Sequence, residues 1–258
     1  MDLNDRVALV TGAAQGIGKA TALTLAHYGA DIIAADLKED KTVKTAVEIQ
    51  KCGQRAIALQ MDVSAKTDID KCIAEALQRF KKIDILVNAA GICPSAMLME
   101  IEERVWDQVI NVNTKGVLLC SQAVGQNMIK NGYGKIINVS SIAAKTGEFG
   151  NGAYCVSKAG VSMLTQVLAL ELAPHNINVN AVCPGYTDTE LLHKAFKTRD
   201  SDGTVSPENY KHTLVEKVPL GRMAQPEEVG ELIAFLASDK SAYITGEAVL
   251  ITGGKEMH

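Results

Sequence analysis

In the stretch GAYCVSKAG, Tyr154 precedes Lys158 by four residues, at what reads as the start of a helix. Four residues make about one helical turn, so the phenol and the ammonium share a face. As surface decoration such a pair adds only a few tenths of a kcal/mol to a helix. As chemistry it can do more. Bringing a phenol from its ordinary pKa of about 10 to about 7 takes roughly 4 kcal/mol of preferential stabilisation of the phenolate. A cation at about 4 Å in an effective dielectric near 20 supplies that order of energy. The pair therefore reads as a tuned acid/base whose pKa can be brought near working pH.

A second constellation lies near the start of the chain. VTGAAQGIGKATA follows an apolar β-branched run and opens a helical pattern. Gly12, Gly16 and Gly18 let the backbone turn tightly and come close to a pyrophosphate at the helix N-terminus, where unpaired N–H groups and the helix dipole favour anions. Many strand-to-helix turns use glycine, so the loop gains its meaning from Asp36, 18 residues after Gly18 at the end of the second strand pattern. A carboxylate there accepts the two ribose hydroxyls of an adenosine; alone, Asp36 would read as a turn residue. No arginine stands at the flanking positions, which are Gln15 and Leu37. With Lys19 and Lys38 expected to aim elsewhere, a 2′-phosphate would face Asp36 unneutralised, which favours NAD over NADP.

These groups need a frame. Apolar runs at 6–11, 30–36, 55–62, 83–90, 135–141, 177–183 and 247–252 read as strands covered on both faces. Helical patterns fill 17–28, 40–52, 67–81, 103–130, 153–173 and 226–238. Such alternation predicts an α/β fold: a doubly wound parallel sheet of seven strands, with right-handed crossovers and helices on both faces. No linker interrupts it, so 1–258 is expected to be one domain. The polar stretch 188–218 breaks the periodicity between two short helix-like pieces, and reads either as a lid over a site or as a solvated excursion.

Composition narrows the function. With 47% hydrophobic and 22% charged residues and a net charge of −4, nothing favours nucleic acid or an anionic membrane as a partner. No apolar run reaches the roughly 18 residues of a membrane-spanning helix. The opening MDLNDRVALVTG enters a strand at once with no secretory pattern, which points to the cytosol. The six cysteines (Cys52, Cys72, Cys93, Cys120, Cys155 and Cys183) include no C-x-x-C pair, and the five histidines no H-x-x-x-H pair. No metal site is expected.

The order T-G-x-x-x-G-x-G, then NAAG at 88–91, a serine thirteen residues before Y-x-x-x-K, and PG at 184–185 resembles the short-chain dehydrogenase/reductase family, from Arg6 to about Gly254. The resemblance implies a Rossmann-like fold and carries roles to particular residues. Asn113 of NVNTKG, Ser141 of NVSS, Tyr154 and Lys158 match the family's catalytic positions. Gln15, Ile17, Leu37 and Gly91 join the glycines and Asp36 as cofactor contacts. Asp62 and Val63 should flank the adenine, and Asn88 should line the adenosine side. Pro184, Gly185, Thr187 and Thr189 should hold the carboxamide of the nicotinamide, with Tyr154 and Lys158 also touching the cofactor. Two departures, Ala89 in NAAG and Thr252 in TGG, do not touch reacting groups.

What the resemblance implies is hydride exchange between a nicotinamide and a secondary alcohol or its ketone. Tyr154 moves the proton, Ser141 holds the substrate oxygen, and the Asn113 carbonyl holds a water leading protons from the lysine. Taken singly, Ser141 would read as a strand-end hydroxyl and Asn113 as a helix irregularity. Near the substrate mouth, Cys93 reads as a small buried hydrophobe or a substrate contact. Glu148 reads as a solvated loop carboxylate or an acceptor for a polyhydroxylated substrate. Cys155 reads as packing. The amphipathic helix around Trp106 matches a dimer face, and the family expectation is a homotetramer. A small polyol, diol or sugar alcohol is the favoured substrate class. A 3-oxoacyl thioester reductase, a steroid-type dehydrogenase and a non-catalytic NAD-binding regulatory protein are the alternatives.

Overall fold

The structure is a computed structural model and describes residues 1–197 and 209–257. Seven strands form one parallel sheet: β1 (Val7–Thr11), β2 (Asp31–Asp36), β3 (Ala56–Gln60), β4 (Ile85–Asn88), β5 (Gly134–Val139), β6 (Ile177–Pro184) and β7 (Ala248–Ile251). Their spatial order is β3-β2-β1-β4-β5-β6-β7, and every pairing is parallel. The order reverses between β1 and β4. A crevice therefore opens at the carboxyl ends of these strands, where open α/β sheets bind ligands.

The helices are α1 (Gly16–His27), α2 (Glu39–Lys51), α3 (Lys66–Phe80), α4 (Glu103–Ile110), α5 (Gly116–Asn131), α6 (Gly152–Leu172), α7 (Glu190–Lys197), α8 (Tyr210–Val215) and α9 (Pro226–Ala237). Alternation within the strands divides the core in two. Ala8 and Val10 of β1, with Ile32 and Ala34 of β2, pack with α1, α2 and α9. Val7 and Leu9, with Ile33 and Ala35, pack with α3, α5 and α6 on the other face. With a period of two, an unbroken apolar run supplies both layers, which is why β1 and β2 are apolar between their ends.

Helix ends follow local chemistry. α5 stops where Gly132 takes a left-handed conformation, φ +64°. α9 starts at Pro226 behind a reciprocal cap in which the Gln225 N–H donates to Glu228 at 2.8 Å.

Three expectations need correction. The single helix expected over 103–130 is interrupted by a π turn at Asn111–Lys115. Strand 83–90 is only Ile85–Asn88, because the chain leaves the sheet to enter the crevice. Helix α6 with its continuation, Gly152–His175, is long and apolar enough to cross a membrane by length and composition. Its Val161, Thr165 and Leu168 are buried, and one face packs on the sheet. The run escapes a reading by consecutive apolar residues because Ser, Lys and Gln punctuate it. Of the 188–218 stretch, α7 and α8 are described; residues 198–208 lie outside the described residues.

Candidate active site

At the end of β1 the chain turns through the glycine loop with no room for side chains. A Cβ on Gly18 would stand 2.1 Å from the Gly12 carbonyl oxygen. Gly12 itself has φ +70°, and a Cβ there would stand 2.8 Å from the Ala90 nitrogen. The loop is thus packed against the chain after β4, leaving backbone rather than side chains at the mouth of α1. Across the crevice, Thr189 approaches Gly16, its Cγ2 3.5 Å from where a Cβ would be. A diphosphate fits such a cradle: glycine backbone, a helix N-terminus and, among the described residues, no side chain filling it.

Asp36 closes the far end of this wall. Its carboxylate accepts the Ala14 N–H at 3.1 Å and the Lys38 N–H at 3.0 Å, which fixes it beside the loop. The lysines divide. Lys19 aims away, donating to Glu48 at 2.8 Å. Lys38, expected to aim elsewhere, lines the cleft and donates to Gln15 Oε1 at 3.1 Å, with Lys41 at 3.4 Å from the same oxygen. The turn after β2 brings α2 back over the loop, a proximity that spacing along the chain does not reveal.

Asp62 and Val63 line the same cleft. The Asp62 carboxylate accepts the Ser64 N–H at 2.8 Å, so its shape is set by the turn into α3. Asn88 does not line it. Its buried amide donates to Asn138 Oδ1 at 2.9 Å and to Ser121 at 3.3 Å, tying β4 to β5, while Ala89, Ala90 and Gly91 form the wall. At the end of a central strand a side chain points either into the core or into the crevice, and in β4 this position faces the core.

The reacting groups gather where β5 ends. Tyr154 and Lys158 share a face of α6 and line the cleft, with Lys158 Nζ 5.6 Å from the centre of the Tyr154 ring. Lys158 is buried and donates to the Val139 carbonyl at 2.7 Å. Burial lowers its pKa to about 8. Burial also pushes the Tyr154 phenol above its ordinary range, with the charges of Cys93 and Glu148 acting in the same direction and a hydrogen bond with Ser141 opposing them. Desolvation of the phenolate is thus the largest influence on the phenol in the protein alone.

Ser141 caps a short 3-10 turn, its Oγ accepting the Ala143 N–H at 3.1 Å, and this holds the hydroxyl at the cleft beside Tyr154. Its neighbour Ser140 is buried and donates to the Lys158 carbonyl at 2.9 Å, bracing α6. Asn113 is buried inside the π turn and does not line the cleft. It donates to the Ile92 carbonyl at 2.9 Å and to Ser157 at 3.0 Å, and accepts the Ile92 N–H at 2.9 Å. It thereby fixes the strand of chain carrying Gly91, which lies against Lys158. π turns recur at functional sites.

Pro184, Gly185, Thr187 and Thr189 form the opposite lip. Gly185 lies against Thr252, where a Cβ would come within 3.0 Å of the Thr252 Cα, so the residue that departs from the commoner motif backs this lip. Cys93 and Glu148 line the cleft; Cys93 is partly exposed rather than a buried filler. Cys155 accepts the Glu148 N–H at 3.4 Å, a packing role. The cleft encloses about 1260 Å³, ample for a dinucleotide and a small substrate. Sequence reading missed a clasp beside it. His193 of α7 pairs with Asp188 at 2.7 Å and with the Tyr210 hydroxyl of α8, joining the described parts of the polar insertion.

Residues 12–256 match a family model described as enoyl-(acyl carrier protein) reductase, one of the short-chain dehydrogenase models. The chain belongs to the short-chain dehydrogenase/reductase family. This dehydrogenase/reductase is 41% identical to the 3-oxoacyl-[acyl-carrier-protein] reductase FabG of Thermotoga maritima, over 98% of this chain and 99% of that one. It is 42% identical to an NAD-dependent glycerol dehydrogenase of Listeria innocua, over 98% of this chain and 94% of the other. An NAD+-bound xylitol dehydrogenase superposes with a TM-score of 0.95 at 31% identity, covering 98% of this chain and all 100% of that one. As a member of this family the protein is an oxidoreductase acting on CH–OH groups.

Proposed function

We propose that this dehydrogenase/reductase uses NAD to interconvert a small polyol, diol or sugar alcohol with its ketone. The observation that carries the reading is the convergence of Tyr154, Lys158 and Ser141 on one cleft with the glycine loop and Asp36. The nicotinamide, when bound, supplies the hydride acceptor or donor. Tyr154 takes the substrate hydroxyl proton on oxidation and returns it on reduction. Ser141 holds the substrate oxygen within reach of the phenol. Lys158, anchored on Val139, keeps a positive charge under the phenolate, and Asn113 positions the wall beside that ammonium. One domain carries both cofactor and substrate sites.

Asp36 supports NAD, since its carboxylate disfavours a 2′-phosphate and suits free ribose hydroxyls. Glu148 at the cleft wall, together with the glycerol and xylitol dehydrogenases among the similar proteins, supports a polyhydroxylated substrate. A homotetramer fits the apolar stripe that α6 exposes along Val156, Met163, Val167 and Leu170.

The second reading, a 3-oxoacyl thioester reductase, draws on the Thermotoga relative and on the two ammonium groups at Gln15. Absorbance of the reduced nicotinamide separates the two. NAD with glycerol, xylitol or a vicinal diol should give signal well above NADPH with a 3-oxoacyl thioester. The reverse order would replace the first reading by the second.

A further inference from the structure

The polar insertion brings two short helices to the cleft, and neither is long enough to stand by itself. α7 has 8 residues and α8 has 6, against the roughly 12 to 15 at which an isolated helix becomes even marginally stable. Packing supplies a small core. Tyr210, Leu214 and Met223 are its buried members, and Tyr186, Leu192 and Val215 pack against them. Two of these, Tyr186 and Leu192, also line the cleft that holds Tyr154. One side of the cleft therefore rests on this small core.

A chain of hydrogen bonds fastens the core to the lip. Asp188 is held by backbone: its N–H donates to the Ala224 carbonyl at 2.9 Å, and the Ala224 N–H donates to the Tyr186 carbonyl at 2.9 Å. The His193 N–H donates to the Thr189 carbonyl at 3.0 Å, so α7 starts from the same lip. Asp188 Oδ1 lies 2.7 Å from His193 Nε2, and Nδ1 of that ring meets the Tyr210 hydroxyl. A carboxylate only accepts, so Nε2 carries a proton, and Nδ1 of the neutral ring accepts from the phenol. One imidazole thus uses both nitrogens to join the lip to the first residue of α8. Tyr210 is buried, and its ring meets the imidazole edge-on with centres 6.1 Å apart. The reacting groups have other supports: Tyr154 and Lys158 stand on α6, and Ser141 follows β5.

We infer that His193 is a positioning residue: by linking Asp188 to Tyr210 it holds Tyr186 and Leu192 in place as a substrate-facing wall. The inference rests on placing the reaction at Tyr154 and is independent of the substrate class. A wall that touches the unreactive part of a substrate binds ground state and transition state alike. Losing it raises KM with little change in kcat.

The test compares the wild type with His193→Ala, Tyr210→Phe and the double variant. Tyr210→Phe keeps the ring in the small core and removes only the hydroxyl. Hydrogen–deuterium exchange should show the amides of α7 and α8 exchanging about tenfold faster or more in His193→Ala, with those of α6 unchanged. KM, read with NAD and xylitol and with NADPH and a short 3-oxoacyl thioester, should rise about tenfold for whichever pair is turned over. Both kcat and the NADH affinity followed by fluorescence should stay within about threefold of wild type. The two substitutions break one chain, so the KM of the double variant should match the larger single increase. Should His193→Ala not fold, Tyr210→Phe is read in the same way. Unchanged exchange overturns the inference, and so do KM increases that multiply in the double variant. Faster exchange with KM unmoved, while Tyr154→Phe is inactive, overturns this inference alone. Turnover left intact by Tyr154→Phe overturns the placing of the reaction at Tyr154 and this inference with it.

Discussion

Lys158 Nζ lies 5.6 Å from the centre of the Tyr154 ring and donates a hydrogen bond of 2.7 Å to the Val139 carbonyl at the end of β5. The lysine is held by the sheet, so its charge has a fixed place relative to the phenol. Being buried, the same charge is costly, and its pKa falls to about 8. The phenol, also buried, is pushed the other way. In the protein alone both groups are driven toward their neutral forms.

The burial of Lys158 has a consequence for stability. In the unfolded chain the lysine keeps its proton up to its ordinary value of 10.5, whereas the folded protein releases it near 8. Between these values the unfolded state binds more protons, so this group makes stability rise with pH, by at most about 1.4 kcal/mol per unit. Below pH 8 the burial of the charge is a full cost. The Tyr154 phenol, raised on folding, opposes the trend only above its unfolded value near 10. Urea unfolding of the wild type and Lys158→Met from pH 7 to 10 should show the difference between them growing in favour of the wild type above pH 8. Parallel curves would mean that the ammonium is not desolvated.

Gly18→Ala should abolish nucleotide binding or prevent stable folding. The added methyl would meet the Gly12 carbonyl oxygen at 2.1 Å, backbone against helix, with no flexible side chain to yield. A loss of several kcal/mol is expected, as for other severe overpacking. Thermal unfolding with and without NADH reads both effects. A variant with unchanged melting and unchanged NADH affinity would show that the loop is looser than described.

Asp36→Ser should move cofactor preference toward NADP. It removes the carboxylate to which the proposed function gives the ribose hydroxyls, while Lys38 and Lys41 remain at Gln15. Removing one charge-assisted contact and one repulsion should shift the ratio of kcat/KM for NADP over NAD by about 10- to 1000-fold. Steady-state kinetics with both cofactors measures it. An unchanged ratio would assign selection to other residues.

The architecture was largely legible because seven apolar runs alternate with amphipathic stretches, and β1 with its glycine loop announces the crevice. Tyr154, Lys158 and Ser141 come together as their spacing suggests, since two share a helix turn and the third lies two residues beyond the end of β5. Asn88 shows the limit. Its motif is visible, yet whether the side chain faces crevice or core depends on the pairing of β4 with β5, which no local pattern encodes. Lys38 and Lys41 reach Gln15 only because α2 folds back over the loop. The π turn around Asn113 leaves no mark in a continuous helical periodicity. His193 and Tyr210 are 17 residues apart, and two isolated polar residues give no sequence signal of their hydrogen bond.

The most direct test of the proposed role of Tyr154 is Tyr154→Phe, with turnover and NADH binding measured on the same preparation. The ring and its packing stay, and only the hydroxyl is lost. Turnover should fall by about 10²- to 10⁴-fold, as expected for removal of a general acid/base, while NADH affinity stays within a few-fold of wild type. Turnover near the wild-type level would remove Tyr154 from the proton path. Loss of NADH binding together with turnover would instead make the phenol part of the cofactor's seat, and would contradict the acid/base assignment.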